Sequence, residues 1–250
     1  MIFNLYKQRG ETPLECLERF RIAYPEHKDE KMTYLGRLDP MAEGVLLVAT
    51  GEDIKQSRRE EFFELDKDYE FVALFGFATD TYDCLGKIVK TADFAKGYVE
   101  PKEMDLIKIC KLYEGEREQK YPPYSSKVQA WNSLEDAHQG EIKKVTIYKM
   151  QFKGLETLKL KELFGRLLMD ISKVKGDFRQ TKILEGWKEK MEKSKNEKFL
   201  IARFSASVSS CTYIRSIVND MGTTLGIGAC ALSIKRTRVG NYLLKDSLSF

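Results

Sequence analysis

The chain has 250 residues, with 42 Lys and Arg against 38 Asp and Glu and a formal net charge of +4. That length buries a sizeable core as one large domain or two small ones, and the charge is too mild to mark a nucleic-acid binder by itself while leaving room for a basic face. Five widely spaced cysteines without a C-x-x-C pair argue against a disulfide framework or zinc ribbon, and two histidines, His27 and His138, argue against a histidine metal site or a Ser-His-Asp triad.

In chain order, residues 4–10, NLYKQRG, read as a short strand leading into a turn that carries Lys7. Their early charge leaves no room for a signal segment, and no apolar stretch reaches membrane-spanning length, so a soluble cytoplasmic protein is expected. Thr12, Pro13 and Glu15 supply an N-cap, a first-turn proline and a capping-box glutamate, and Leu14, Leu17 and Phe20 predict a helix to about Tyr24. In Leu38-Asp39-Pro40 the proline denies its predecessor the α region, so Asp39 belongs to a loop. Gly44 then opens the run Val45-Leu46-Leu47-Val48, a buried strand closed by Gly51. An acid is thus presented at the edge of the core, although Asp before Pro commonly does no more than cap a turn.

Tyr69, Phe71, Ala73 and Phe75 alternate along a second strand, and the polar stretch with Thr79, Thr81 and Asp83 reads as a hairpin connection to a strand over 87–90. Residues 101–113 predict a helix with Met104, Ile107 and Leu112 on its buried side. YPPYSSKVQAW then forces an extended bend beside Tyr124, Ser125 and Lys127, and a strand follows over 143–152. From Gly154 to about Lys198 the composition turns charged and helix-favouring, with Leu155, Leu158, Leu163, Leu167, Ile171 and Val174 on one helix and Ile183, Trp187 and Met191 on a second. Residues 198–208 alternate as a half-buried strand. The period changes near Thr212 into a helix with Arg215 in its first turn, and Lys235, Arg236 and Arg238 cluster near the end. Irregularly mixed strands and helices without repeats or linkers point to an α+β class.

Four ordered segments, YLGRLDPMAEGVLL, KDYEFVALFGFATDTYDCLG, PPYSSK and CTYIRSIVNDMGTTLGIGACALSIKRT, together with the opening NLYKQRGETPLE, resemble the TruB family of tRNA pseudouridine synthases over most of the chain outside about 154–198. The resemblance implies a single catalytic domain over 1–250 with the pseudouridine synthase fold, a mixed, largely antiparallel central sheet flanked by helices with an active cleft across its middle. It implies conversion of the T-loop uridine of tRNA, position 55 in standard numbering, to pseudouridine with neither cofactor nor metal. The sequence does not reveal an oligomeric state, and a monomer without an obligate protein partner is the default expectation.

Asp39 falls on the family's catalytic aspartate. A carboxylate beside the ribose can attack C1′, stabilise an oxocarbenium-like centre, or remove the 2′ proton, and the sequence leaves all three open. Uracil delocalises its negative charge over two carbonyls, so no second carboxylic acid is required. The family places Arg215 against Asp39, stacks Tyr69 on the extracted uracil, and completes the base pocket with Tyr213 and Ile234. Flipping a stacked uridine calls for basic and aromatic groups, and Lys7, Lys127, Lys235 and Arg236 match or adjoin the family's basic positions. Tyr34 stands where the family commonly has histidine, and is expected to stack in the space left by the flipped base. Cys211 stands where glycine is expected, and PPYSSK is one residue short of the commonest form. The resemblance offers no C-terminal PUA domain, and the helical insertion at about 154–198 is either a substitute tRNA contact or a hairpin packed on the catalytic domain. Two rivals stand beside catalysis at the T loop: a non-catalytic tRNA-folding chaperone, and the same chemistry on another RNA.

Overall fold

The computed structural model describes residues 1–94, 98–124, 142–194 and 198–250. Its strands are β1 (Ile2–Lys7), β2 (Met32–Leu35), β3 (Ala42–Thr50), β4 (Lys67–Phe75), β5 (Phe77–Thr79), β6 (Ile88–Thr91), β7 (Gly115–Lys120), β8 (Ile142–Lys159), β9 (Lys198–Val208), β10 (Ala229–Val239) and β11 (Tyr242–Leu243). The helices are α1 (Pro13–Ala23), α2 (Gln56–Phe63), α3 (Glu103–Tyr113), α4 (Leu160–Ile171), α5 (Gln180–Lys193) and α6 (Ile214–Thr224). The main sheet runs β1-β3-β10-β4-β9-β8-β7, with β2 on β3 and β11 on β10, while β5 and β6 form a separate ribbon. Among the described residues, only β3 and β10 run parallel in its strand pairs. This is the mixed, largely antiparallel α+β sheet that the resemblance implies.

The apolar run of β3 lies between β1 and β10 with both faces covered: Val45 to Ala49 have no exposure, and only a strand covered on both faces can bury consecutive residues. On one face, Phe71 of β4 stacks on Phe204 of β9 at 5.4 Å, and α3 and α6 close the layer. On the other, Phe199 and Ile201 of β9 join Leu163 and Leu167 of α4 and Trp187 of α5. Both faces of β9 are therefore covered over its first half, and the expected half-buried strand is a fully buried one there. α1 starts where the capping box places it, Glu15 N–H donating to Thr12 Oγ1 at 3.2 Å and Thr12 N–H to Glu15 Oε2 at 2.7 Å, a motif worth about 1 kcal/mol.

Two boundaries or phases differ from the sequence reading, and one segment it left unassigned is a strand. The buried stripe of α3 is Leu106, Ile109, Cys110 and Tyr113, while Met104, Ile107 and Leu112 face solvent; both stripes have helical spacing, and packing against β8 selects one. The helical composition after Gly154 begins as sheet, because β8 continues to Lys159 through a bulge at Gly154. Lys235 to Arg238 lie within β10, the strand joining the β1–β3 side of the sheet to β4. Among the described residues no helix is long and apolar enough to cross a membrane.

Candidate active site

Asp39 sits on a loop whose shape is imposed from below. Gly36 takes φ +82°, Ala42 N–H donates to Asp39 O at 2.9 Å, and Gly10 N–H donates to Pro40 O at 2.8 Å. Arg236 reaches under the loop from β10, donating from Nε to Val45 O at 2.8 Å, from Nη1 to Arg37 O at 3.2 Å and from Nη2 to Gly36 O at 3.3 Å. Gly44 lets β10 come this close: a Cβ there would stand 2.2 Å from the Arg236 carbonyl oxygen, and its φ of +109° already favours glycine. Lys7, on β1, donates from Nζ to Ala42 O at 2.6 Å and to Gln8 O at 3.0 Å.

Facing this loop, the first turn of α6 carries Arg215, which is only 3% exposed. Its Nε lies 2.8 Å from Asp39 Oδ2, an ion pair short of hydrogen-bond alignment, and 3.8 Å from Asp83 Oδ2. Nη1 donates to Thr81 O at 2.6 Å. Burial works against the Arg215 charge, but Asp39 and then Asp83 outweigh it and hold the guanidinium above its ordinary pKa. The two carboxylates are unequal: Asp39 keeps 37% of its side chain exposed, and Asp83 keeps 7%.

Asp83 accepts from Thr81 Oγ1 at 2.7 Å and from Leu85 N–H at 3.0 Å. Its burial pushes its pKa up to about 6 against the pull of Arg215, and the nearby Asp39 charge pushes the same way. Its loop is clipped to β10 by Ala231 N–H donating to Tyr82 O and Cys84 N–H donating to Ala231 O, at 2.9 and 3.0 Å. Sequence reasoning treats Asp83 only as a turn former; its place beside an arginine 132 positions later is a tertiary fact.

Tyr69 of β4, Ile234 of β10, Leu38 next to Asp39 and Ile214 next to Arg215 belong to one apolar cluster. Ile234 pairs with Ala42 and with Phe71 across the sheet, and Tyr69 pairs with Arg236, so the register sets these residues beside the Asp39 loop. Tyr213 is half-buried ahead of α6, its backbone held at both ends by Gln119, which accepts from Tyr213 N–H at 2.7 Å and donates to Tyr213 O at 3.1 Å. Asp39, Arg215, Tyr69 and Ile234 are thus brought together, with Tyr213 adjoining through the α6 start.

The basic residues divide. Lys7 and Arg236 are 0% and 2% exposed and spend their donors on backbone carbonyls, so neither is presented to a phosphate: an RNA contact by these two is corrected to support of the Asp39 loop. Burial lowers the Lys7 pKa to about 8. Lys235 is partly exposed and paired with Glu43 at 3.2 Å. Lys127 lies outside the described residues. Tyr34 packs against the α1-side cluster and accepts from Arg37 Nη2 at 3.0 Å.

A buried arginine between a partly exposed and a buried carboxylate presents the Asp39 carboxyl group at the edge of the apolar cluster that holds Tyr69 and Ile234. The family model for "TruB family pseudouridylate synthase (N terminal domain)" matches residues 25–178. The chain therefore belongs to the TruB family of pseudouridylate synthases. It is 27% identical over 248 residues to the tRNA pseudouridine synthase B of Clostridium kluyveri, covering 99% of this chain and 70% of that protein. The tRNA pseudouridine synthase B of Aquifex aeolicus is 28% identical over 246 residues, covering 97% and 69%. Among solved structures, an H/ACA RNP bound to a substrate RNA containing 2′-deoxyuridine matches with a TM-score of 0.55 at 19% identity, and a Cbf5-Nop10-Gar1 complex with 0.54 at 21%. Each match covers 97% of this chain, which spans about half of those solved chains, 48% and 49%. At such identity they speak for the fold.

Proposed function

We propose that this protein is a tRNA pseudouridine synthase that isomerises the T-loop uridine, with Asp39 as the catalytic carboxylate. The observation that carries the reading is the 2.8 Å pairing of Asp39 with the buried Arg215 at the edge of the apolar cluster holding Tyr69 and Ile234. Family membership and the names of the relatives support the reaction and the tRNA substrate.

The chemistry follows from the placement. The uridine is flipped from its stack so that its ribose meets Asp39 and its base lies on Tyr69, with Ile234 and Tyr213 completing the pocket. The N1–C1′ bond breaks, the uracil turns, and a C5–C1′ bond forms; the proton lost from C5 balances the one N1 acquires. Arg215 pairs with the Asp39 carboxylate and orients it while substrate excludes water. Asp39 acts either on C1′ or on the 2′ proton. The enzyme works in the cytoplasm on the T arm, as a monomer, with Lys235 at the RNA-facing side and Tyr34 stacking in the opened loop.

Single-turnover pseudouridine formation on unmodified tRNA, at saturating protein, tests this. Wild type forms product and Asp39→Asn forms none while binding tRNA normally. No product from wild type with intact binding overturns the reading.

A further inference from the structure

The charged helical segment is docked on the loops that carry the two carboxylates. Its apolar side shares a cluster with Met41, two residues after Asp39, and with Cys84 and Leu85, which follow Asp83. Trp187 of α5, fully buried, donates from Nε1 to Cys84 O at 3.1 Å. At the end of α4, Asp170 accepts from Arg9 Nη1 at 2.8 Å, and Lys173 packs so closely on Gly10 that a Cβ there would stand 2.4 Å from its own. Gly10 in turn donates to Pro40. Each active-site loop is thereby touched from the α4–α5 side.

Arg179, the residue before α5, joins these contacts to a third. Its Nη1 donates to Asp80 Oδ2 at 3.0 Å, and its guanidinium lies 4.9 Å from the centre of the Tyr124 ring. Asp80 ties off the loop holding Asp83: Oδ1 accepts from Lys87 N–H at 2.7 Å, and its own N–H donates to Lys87 O at 3.0 Å. Arg179 adopts φ +64°, a left-handed conformation costly for a side chain with a Cβ. Its N–H donates to Asp177 Oδ1, which helps fix that conformation. A strained backbone holding a guanidinium against the outside of a catalytic loop marks a position shaped by more than local propensity.

We propose that the α4–α5 pair is a brace that holds the Asp39 and Asp83 loops at working distance, and that Arg179 is its positioning residue, clamping the Asp83 loop from outside while Arg215 holds it from inside. The proposal deepens the pseudouridine synthase reading and rests on it for its kinetic readout. Arg179 touches neither substrate nor reacting atoms. It acts through Asp80 on residues 81–85, and a displacement of about 1 Å at a reacting group costs up to about a hundredfold in rate.

Arg179 is partly exposed, so Arg179→Ala leaves the core intact. The test compares Arg179→Ala, Asp80→Ala, their double variant and the charge exchange Arg179→Asp with Asp80→Arg, in single-turnover pseudouridine formation, tRNA binding, and amide hydrogen exchange over residues 81–86. Each single variant lowers the rate about tenfold with tRNA affinity unchanged and exchange accelerated. The double variant is no slower than the slower single, and the exchange pair recovers part of the rate. A rate within twofold of wild type in Arg179→Ala, or unaltered protection of 81–86, overturns the proposal. If wild type makes no product, the substrate reading fails, and protection of 81–86 alone decides whether the brace exists.

Discussion

Arg215 and Arg236 are buried to nearly the same degree, yet they face opposite chemistries. Arg215, at the start of α6, meets two carboxylates, while Arg236, on β10, spends three donors on two carbonyls of the Asp39 loop and one of β3 and, among the described residues, pairs with no acid. A guanidinium against carboxylates governs their charge. One against carbonyls satisfies lone pairs that would otherwise be orphaned and fixes a backbone shape. One region sets the electrostatics of the site and the other its geometry, so their variants should fail differently.

The largest effect belongs to Arg215→Ala, which strands Asp83 without a counter-charge. We expect a loss of about 3–5 kcal/mol in urea unfolding and a drop of at least about a thousandfold in the single-turnover rate. A rate within tenfold of wild type would show that Asp39 does not depend on its partner. Arg236→Met should cost about 2–4 kcal/mol through unpaired carbonyls and slow turnover by about ten- to a hundredfold. The slope of log Kd for tRNA against log salt should stay as in wild type. A slope shallower by about one would restore Arg236 as a phosphate ligand.

A smaller effect separates the two acids around Arg215. With its pKa raised to about 6, Asp83 keeps a proton in the native state that the unfolded chain releases near pH 4. The stability lent by neutral Asp83 is therefore present below that value and fades as pH rises through 6. Asp83→Asn stays neutral throughout, so its stability relative to wild type should improve by on the order of 2 kcal/mol between pH 4 and pH 7. Urea midpoints of both proteins across that range read the change, and a constant difference would show that Asp83 is ionised at both ends.

What could be read in advance depended on how local its cause was. Pro40 alone places Asp39 in a loop, and the capping box alone starts α1. The burial of Lys7 and Arg236 was invisible because the carbonyls that receive them are contributed by other elements, Val45 lying 191 positions from Arg236. Asp83 was missed for the same reason. Cys211, where glycine was expected, shows the converse: its φ of +61° is the left-handed conformation that glycine adopts without penalty, so the local backbone demand was legible even though the residue departs from it.

β10 lies between β3 and β4, although it follows both by more than 150 positions. Until it inserts, those two strands leave edges open in the middle of the sheet, and the loop of Asp39 lacks the Arg236 clamp that arrives 199 and 200 residues later. The main sheet therefore cannot grow outward in the order in which the ribosome delivers its strands. Its open edges invite wrong pairing while the chain waits. A nascent chain short of β10 carries Asp39 on a loop without its support, and acquires that support only when the late strand slots into the waiting gap.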